Sequence, residues 1–144
     1  MNDFHRLVAR LRKSAKNLDK VGSEAAKTVA NTIVRELVYR TPVDESTALS
    51  NWVVTIGRST SGQIPAHIVG KQGSTRFQSA EITIQNAAAA LLGKKSGQNI
   101  YISNKLDYIS ELNDGSSLQA PAGFVEAAIL VGRNAAKSVK VKKL

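Results

Sequence analysis

Apolar or small residues at Phe4, Val8, Leu11, Ala15, Leu18, Gly22, Ala25, Val29 and Ile33 recur in steps of four and three along the start of the chain. That spacing lines one stripe of an α-helix. The fold must therefore accommodate a helix that starts at Asp3, a candidate N-cap, runs to about Tyr39 and extends roughly 50 Å. Gly22 is its weak point, about 1 kcal/mol worse than Ala, and a bend or break there would leave two shorter helices. Arg6, Arg10, Arg12, Lys13, Lys16 and Lys20 fall off the stripe and make the first half basic. Such a face is either solvated or docked on an acidic neighbour. The narrow stripe also fits a coiled-coil seam, but small Ala15, Gly22 and Ala25 favour close packing on the protein's own sheet or on a neighbouring subunit.

Thr41-Pro42 ends this helix, because a residue before proline avoids the α region. Asp44 opens a polar stretch through Ser50 and is expected to bond backbone N–H groups of the following turn. Trp52 to Gly57 reads as a strand rich in β-branched residues. Ile64 to Val69 reads as a second strand, held to an edge by Pro65. Gly70 to Thr75 reads as a flexible loop. A second helix from about Ser79 ends at Gly93, Asn99 to Asn104 alternates as a strand, and Tyr108, Ile109 and Leu112 give one short helical turn. Pro121 precedes a last helix, Gly123 to about Lys137, whose inner face is Phe124, Ala127, Ala128 and Val131. The expected fold class is α+β: a long N-terminal helix and a C-terminal helix packed on a small, mainly antiparallel sheet. Residues 1–138 form one domain and 139–144 a basic C-terminal tail.

The chemistry-bearing residues are few. Among 144 residues there is no cysteine, which excludes disulfides and thiolate metal sites. His5 and His67 lack a second ligand at metal spacing. No Gly-x-Ser-x-Gly elbow, P-loop or dinucleotide fingerprint occurs. Asp44 and Glu45, and Glu111 and Asp114, lack the apolar surroundings that would tune a carboxylate for acid–base work. The expectation is a protein that is not an enzyme and uses no cofactor. The start of the chain has no apolar h-region, and the longest apolar run, Ala87 to Leu92, is too short to span a bilayer. A soluble protein made in the cytoplasm, without a membrane partner, is expected.

The net charge of +9 favours polyanions or acidic protein surfaces. After Glu126 no acidic residue follows, whereas Arg133, Lys137, Lys140, Lys142 and Lys143 do. Cations at a helix C-terminus complement its dipole, so part of that run is structural. No RRM strand, zinc finger or GXXG clamp is present, and seven aromatic residues make a stacking platform hard to assemble. A phosphate contact by the tail is the remaining route to DNA.

Two segments carry further information: T-P-V-D-E-S-T-A-L-S-N-W, Thr41 to Trp52, and I-Y-I-S-N-K-L-D-Y-I-S-E-L-N-D-G-S-S-L-Q-A-P-A-G-F-V-E-A-A, Ile100 to Ala128. In order and spacing they resemble the neck, or tail-completion, proteins that join head to tail in long-tailed phages. That family pairs a long N-terminal helix with a T-P-V-D-T-G-like turn, a Ser/Asn-Trp strand, an N-N-x-x-Y segment and a Q-x-P-x-G-F entry to the last helix. This chain departs from the pattern at three positions. Ser46 stands at the family's Gly, Thr47 at its usual basic residue, and Lys105 at the second Asn.

The resemblance implies a virion protein of the neck, a homo-oligomeric ring of six-fold symmetry, seated between the head-side connector and the tail proteins. It would leave a channel for passing DNA. Two alternatives stand beside it: a head-closure or tail-terminator ring, and a small basic nucleic-acid-binding protein. The residues expected to build structure or interface are Pro42, Asp44, Trp52, Asn104, Tyr108, Pro121, Phe124, Lys140, Lys142 and Lys143. Trp52, the largest apolar side chain, should anchor helix to sheet, and Tyr108 should pack its ring while bonding outward.

Overall fold

The computed structural model describes residues 3–60, 62–117, 119 and 122–138, with side chains of the first helix described from Gly22 onward (and at Arg6). Pro121 and Lys140, Lys142 and Lys143 lie outside the described residues, as does the whole segment expected to form the basic tail.

The stripe at the start of the chain forms α1, Asp3–Arg40, a helix of 38 residues that continues through Gly22. A helix that long rises about 57 Å. A side chain at Gly22 would meet nothing within 4 Å, so the glycine marks no close approach. After α1 come α2 (Thr47–Ser50), β1 (Val53–Ile56), α3 (Arg76–Leu92), β2 (Ile100–Ser103), α4 (Ile109–Asn113) and α5 (Phe124–Ser138). β1 and β2 pair antiparallel, Val53 opposite Ser103 and Ile56 opposite Ile100. The architecture is α+β, with long first and last helices and one small antiparallel sheet.

Both long packing helices run antiparallel to α1. Arg76, at the start of α3, donates to the Tyr39 carbonyl, while Lys94, just beyond its end, donates to Ser23 Oγ at 3.0 Å. Phe124, at the start of α5, shares a cleft with Tyr39 and Arg40, and Ala136, near its end, shares a groove with Ala25 and Ala26. The α1–α5 contact is close because Gly132 has no side chain: a Cβ there would collide with Ile33 Cγ1 and Cδ1. Val34, Leu37, Val38, Leu49, Trp52, Val54, Leu91, Phe124 and Ala128 form the core. It is mostly aliphatic, as a chain with few aromatics requires.

Three expectations are corrected. Ile64 to Val69 is not a strand but an irregular segment, with Val69 79% exposed. Backbone groups of Ile64, His67 and Ile68 are taken up by side chains rather than by a ladder. Asn51 Oδ1 accepts from Ile64 N–H at 2.9 Å and Asn51 Nδ2 donates to the Ile64 carbonyl at 2.7 Å. Ser50 Oγ accepts from His67 N–H, and Ser79 Oγ from Ile68 N–H. The polar stretch after Asp44 contains a helical turn, α2, that its Ser and Thr content obscures. Finally, Asp44 does not bond the turn that follows it. Its Oδ1 accepts from Gln72 N–H at 2.6 Å, and its carbonyl from Gly73 N–H at 2.8 Å, so it pins the loop 70–75 instead.

Candidate functional site

The two segments singled out in the sequence meet in space. Thr41 and Trp52, the first and last residues of the first segment, are bonded to each other. The indole Nε1 donates to Thr41 Oγ1 at 2.8 Å, and that hydroxyl donates to the Leu37 carbonyl at 2.5 Å. This chain of bonds locks the end of α1 to the entry of β1. Trp52 is 7% exposed and lies in the core, so its ring anchors helix to sheet from inside.

Gln119 joins the second segment to the first. Its Oε1 accepts from Val43 N–H at 2.8 Å and its Nε2 donates to the Val43 carbonyl at 3.1 Å. The side-chain amide thus satisfies both polar groups of a buried residue, as a neighbouring strand would. A second tie runs from Asn104 Nδ2 to the Ala48 carbonyl at 2.9 Å, while Asn104 Oδ1 accepts from Leu106 N–H. Asn113 completes the frame by accepting from Val125 N–H at 2.9 Å and donating to the Glu126 carboxylate. Phe124 is buried behind it.

The Gln119–Val43 pair stands between two clefts. One, of about 240 Å³, is lined by Pro42, Asp44, Glu45, Tyr108, Leu112 and Gln119 among others. The other, of about 200 Å³, lies toward Tyr39, Arg76 and Phe124, with Pro42 and Gln119 again in its wall. Pro42, Asp44 and Tyr108 therefore share one cleft, whereas Trp52 and Phe124 belong to the core and Asn104 to the frame. Asp44, Glu45, Asp107, Glu111 and Asp114 are all exposed along these two segments, on a chain of net charge +9. Tyr108 is 42% exposed, and its phenol is pushed above its ordinary range, first by burial and then by the Glu45 carboxylate. His67 sits in a separate cleft with Trp52 and Thr83, where burial lowers its pKa.

Ser46 adopts φ 66°, ψ 8°, in the left-handed region, ahead of α2. Glycine would enter this region without steric penalty, whereas serine does not. Its hydroxyl lies 3.0 Å from Thr75 Oγ1, and its carbonyl accepts from Ser50 Oγ at 2.6 Å. Among the described residues no group of three His, Asp or Glu side chains could hold a metal ion, and no helix is long and apolar enough to cross a membrane.

The residues that sequence reasoning missed are the stitching amides and hydroxyls Thr41, Ser50, Asn51, Asn113 and Gln119. Gln119 had a signal, as the first residue of the Q-A-P-A-G-F run. Asn51 had one only in standing beside Trp52. No family model matches the chain, and neither a curated protein nor a solved structure is detectably similar to it.

Proposed function

We propose that this chain is a structural subunit of a tailed-phage neck: a ring protein that joins head to tail by surface complementarity, performs no covalent chemistry and leaves a channel for DNA. The observation that carries the reading is the convergence of the two resembling segments on one frame, through Gln119 and Val43. Residues 76 positions apart in the chain are the ones that must come together for a T-P-V-D turn and a Q-x-P-x-G-F entry to form one surface. Ser46 adds support, since its left-handed backbone is what a glycine at that position of the pattern would supply. The neighbours would be the head-side connector and the tail proteins, and the protein would be found in the virion neck.

A neck subunit acts after heads and tails have formed separately. Phage carrying a stop codon early in this gene should accumulate DNA-filled or leaking heads beside free tails, with few joined particles in electron micrographs. Absent or malformed tails would instead indicate a tail-terminator or tube role. Empty heads, or little phage DNA, would favour the nucleic-acid-binding alternative suggested by the +9 charge.

A further inference from the structure

Among the described residues the sheet has two strands, and none of those residues pairs with the far edge of β2. The register settles which groups point outward. Gly57 N–H donates to the Asn99 carbonyl at 2.9 Å, so residues 57 and 99 are a hydrogen-bonded pair. Hydrogen-bonded pairs alternate along an antiparallel ladder. Thr55 with Tyr101 and Val53 with Ser103 are then the bonded pairs of this register. The N–H and C=O groups of Ile100 and Ile102 consequently face away from β1, and they have no hydrogen-bond partner among the described residues. Beside this edge lies a groove of about 540 Å³ with a mainly apolar wall, Val29 and Ile33 of α1, Ile100 and Ile102 of β2 and Ala136 of α5, and with Lys94, Gln98 and Asn99 at one end. An open edge next to an apolar groove is the arrangement that takes up an added strand: main-chain bonds hold it and alternate side chains fill the groove.

We propose that the occupant is residues 139–144 of a second copy of this chain. The segment reads Val-Lys-Val-Lys-Lys-Leu. If extended, this segment would put Val139 and Val141 on one side with Lys143 following at the end, and Lys140 and Lys142 on the other with Leu144. Six extended residues reach about 20 Å, enough to cover the four residues of β2.

Direction favours a second copy over the chain's own tail. β2 runs the same way as α1, since Lys94, before it, bonds Ser23, and Asn104, after it, bonds Ala48. α5 runs the opposite way, from Tyr39 toward Ala25. α5 ends at Ser138 pointing away from the Asn104 end of β2, so pairing residues 139–144 of the same chain with β2 would require an immediate reversal. A neighbour's tail enters the groove with no reversal. Tail into groove is a heterologous contact, and repeated around a closed rotation it makes a ring. The inference deepens the ring reading and rests on it.

The chain has no native cysteine, so introduced pairs are clean. The full chain carrying both Val141→Cys and Gln98→Cys, treated with a short bismaleimide, should give a ladder of covalent multimers on a denaturing gel. Either single variant should stop at dimers. A product linked only within one chain would overturn the proposal, placing the tail on its own edge. No crosslink between these positions would overturn it as well. In parallel, deleting 139–144 from the unmodified chain should abolish the multimer seen by light scattering without lowering the melting temperature. A multimer that survives the deletion would refute the tail contact while leaving the ring reading to the particle phenotype. A full chain that stays monomeric at every concentration would refute the tail contact and the ring together.

Discussion

The helical slab of α1, α3 and α5 and the frame of irregular segments around residues 41–75 and 104–123 are held by opposite means. In the slab, aliphatic side chains such as Val34, Val38 and Leu91 pack against small ones such as Ala30, Ala80, Ala87 and Ala128. Those contacts have no direction, and volume is what matters. In the frame, the buried polar residues are Thr41, Ser46, Ser50 and Asn51, joined by Ser79 and Thr83 of the facing α3, and no buried side-chain polar atom among the described residues lacks a partner. Hydrogen bonds are directional, and a buried group left without one costs about 1–3 kcal/mol. The slab should therefore tolerate exchange among apolar residues of like size, while the frame should tolerate almost no change of chemical type.

Substitutions can break or sharpen that contrast. Trp52 belongs to both regions, with its ring in the core and its Nε1 on Thr41. Trp52→Ala should lower stability by about 3–5 kcal/mol, the range for a large buried aromatic, as read from denaturant unfolding. An unchanged midpoint would show that the helix end and the sheet are held by something else.

Gly132→Ala tests the slab. Overpacking against Ile33 should cost about 1–3 kcal/mol, more than the roughly 1 kcal/mol gained in helix propensity. Ile33→Ala, which removes both colliding carbons, should cost less beside Gly132→Ala than it does alone, a coupling expected of residues in contact. Additive effects would mean that the two helices do not meet there.

Gln119→Ala tests the frame. It leaves Val43 N–H and C=O without partners, at about 1 kcal/mol since Gln119 lies at the surface and water can replace part of the loss. The sharper readout is amide exchange, which should quicken at Val43 and its neighbours while the core amides of α1 stay protected. A uniform loss of protection would show that frame and slab open as one unit.

The smallest effect concerns Tyr108. Its phenol should ionise above the ordinary value of about 10 in a spectrophotometric titration of the folded protein. The sign follows from the raised pKa: the stabilisation is whole below the unfolded value and is lost as pH rises through the folded one. Glu45→Gln should bring the midpoint part of the way back, because burial is the first cause and the carboxylate the second. A midpoint unmoved by that change would place Glu45 away from the ring.

The same contrast explains what the sequence made legible. Period and composition were enough for α1, α3, α5, β1 and β2, whose apolar residues repeat at 3.6 or 2, and for the inner face of α5 at Phe124 and Ala128. Period was misleading at Ile64 to Val69, where an apolar run is held by Asn51, Ser50 and Ser79 rather than by a partner strand. The strand reading fails there because side-chain amides and hydroxyls can replace a ladder without leaving any periodic trace. The site residues divide in the same way. Trp52 was legible from its size and position, and Pro42 from its effect on the preceding helix. The reach of Asp44 to Gln72 and of Gln119 to Val43 spans 28 and 76 positions, and no local pattern encodes such a pairing.

The central claim is that this frame and its clefts form a joining surface that works on parts already made. In vitro complementation tests it most directly. Purified protein, added to a lysate of phage carrying a stop codon in this gene, should restore infectivity, because filled heads and finished tails need only the missing surface between them. Recovery of no infectious particles, in a lysate whose heads were never filled, would contradict the account.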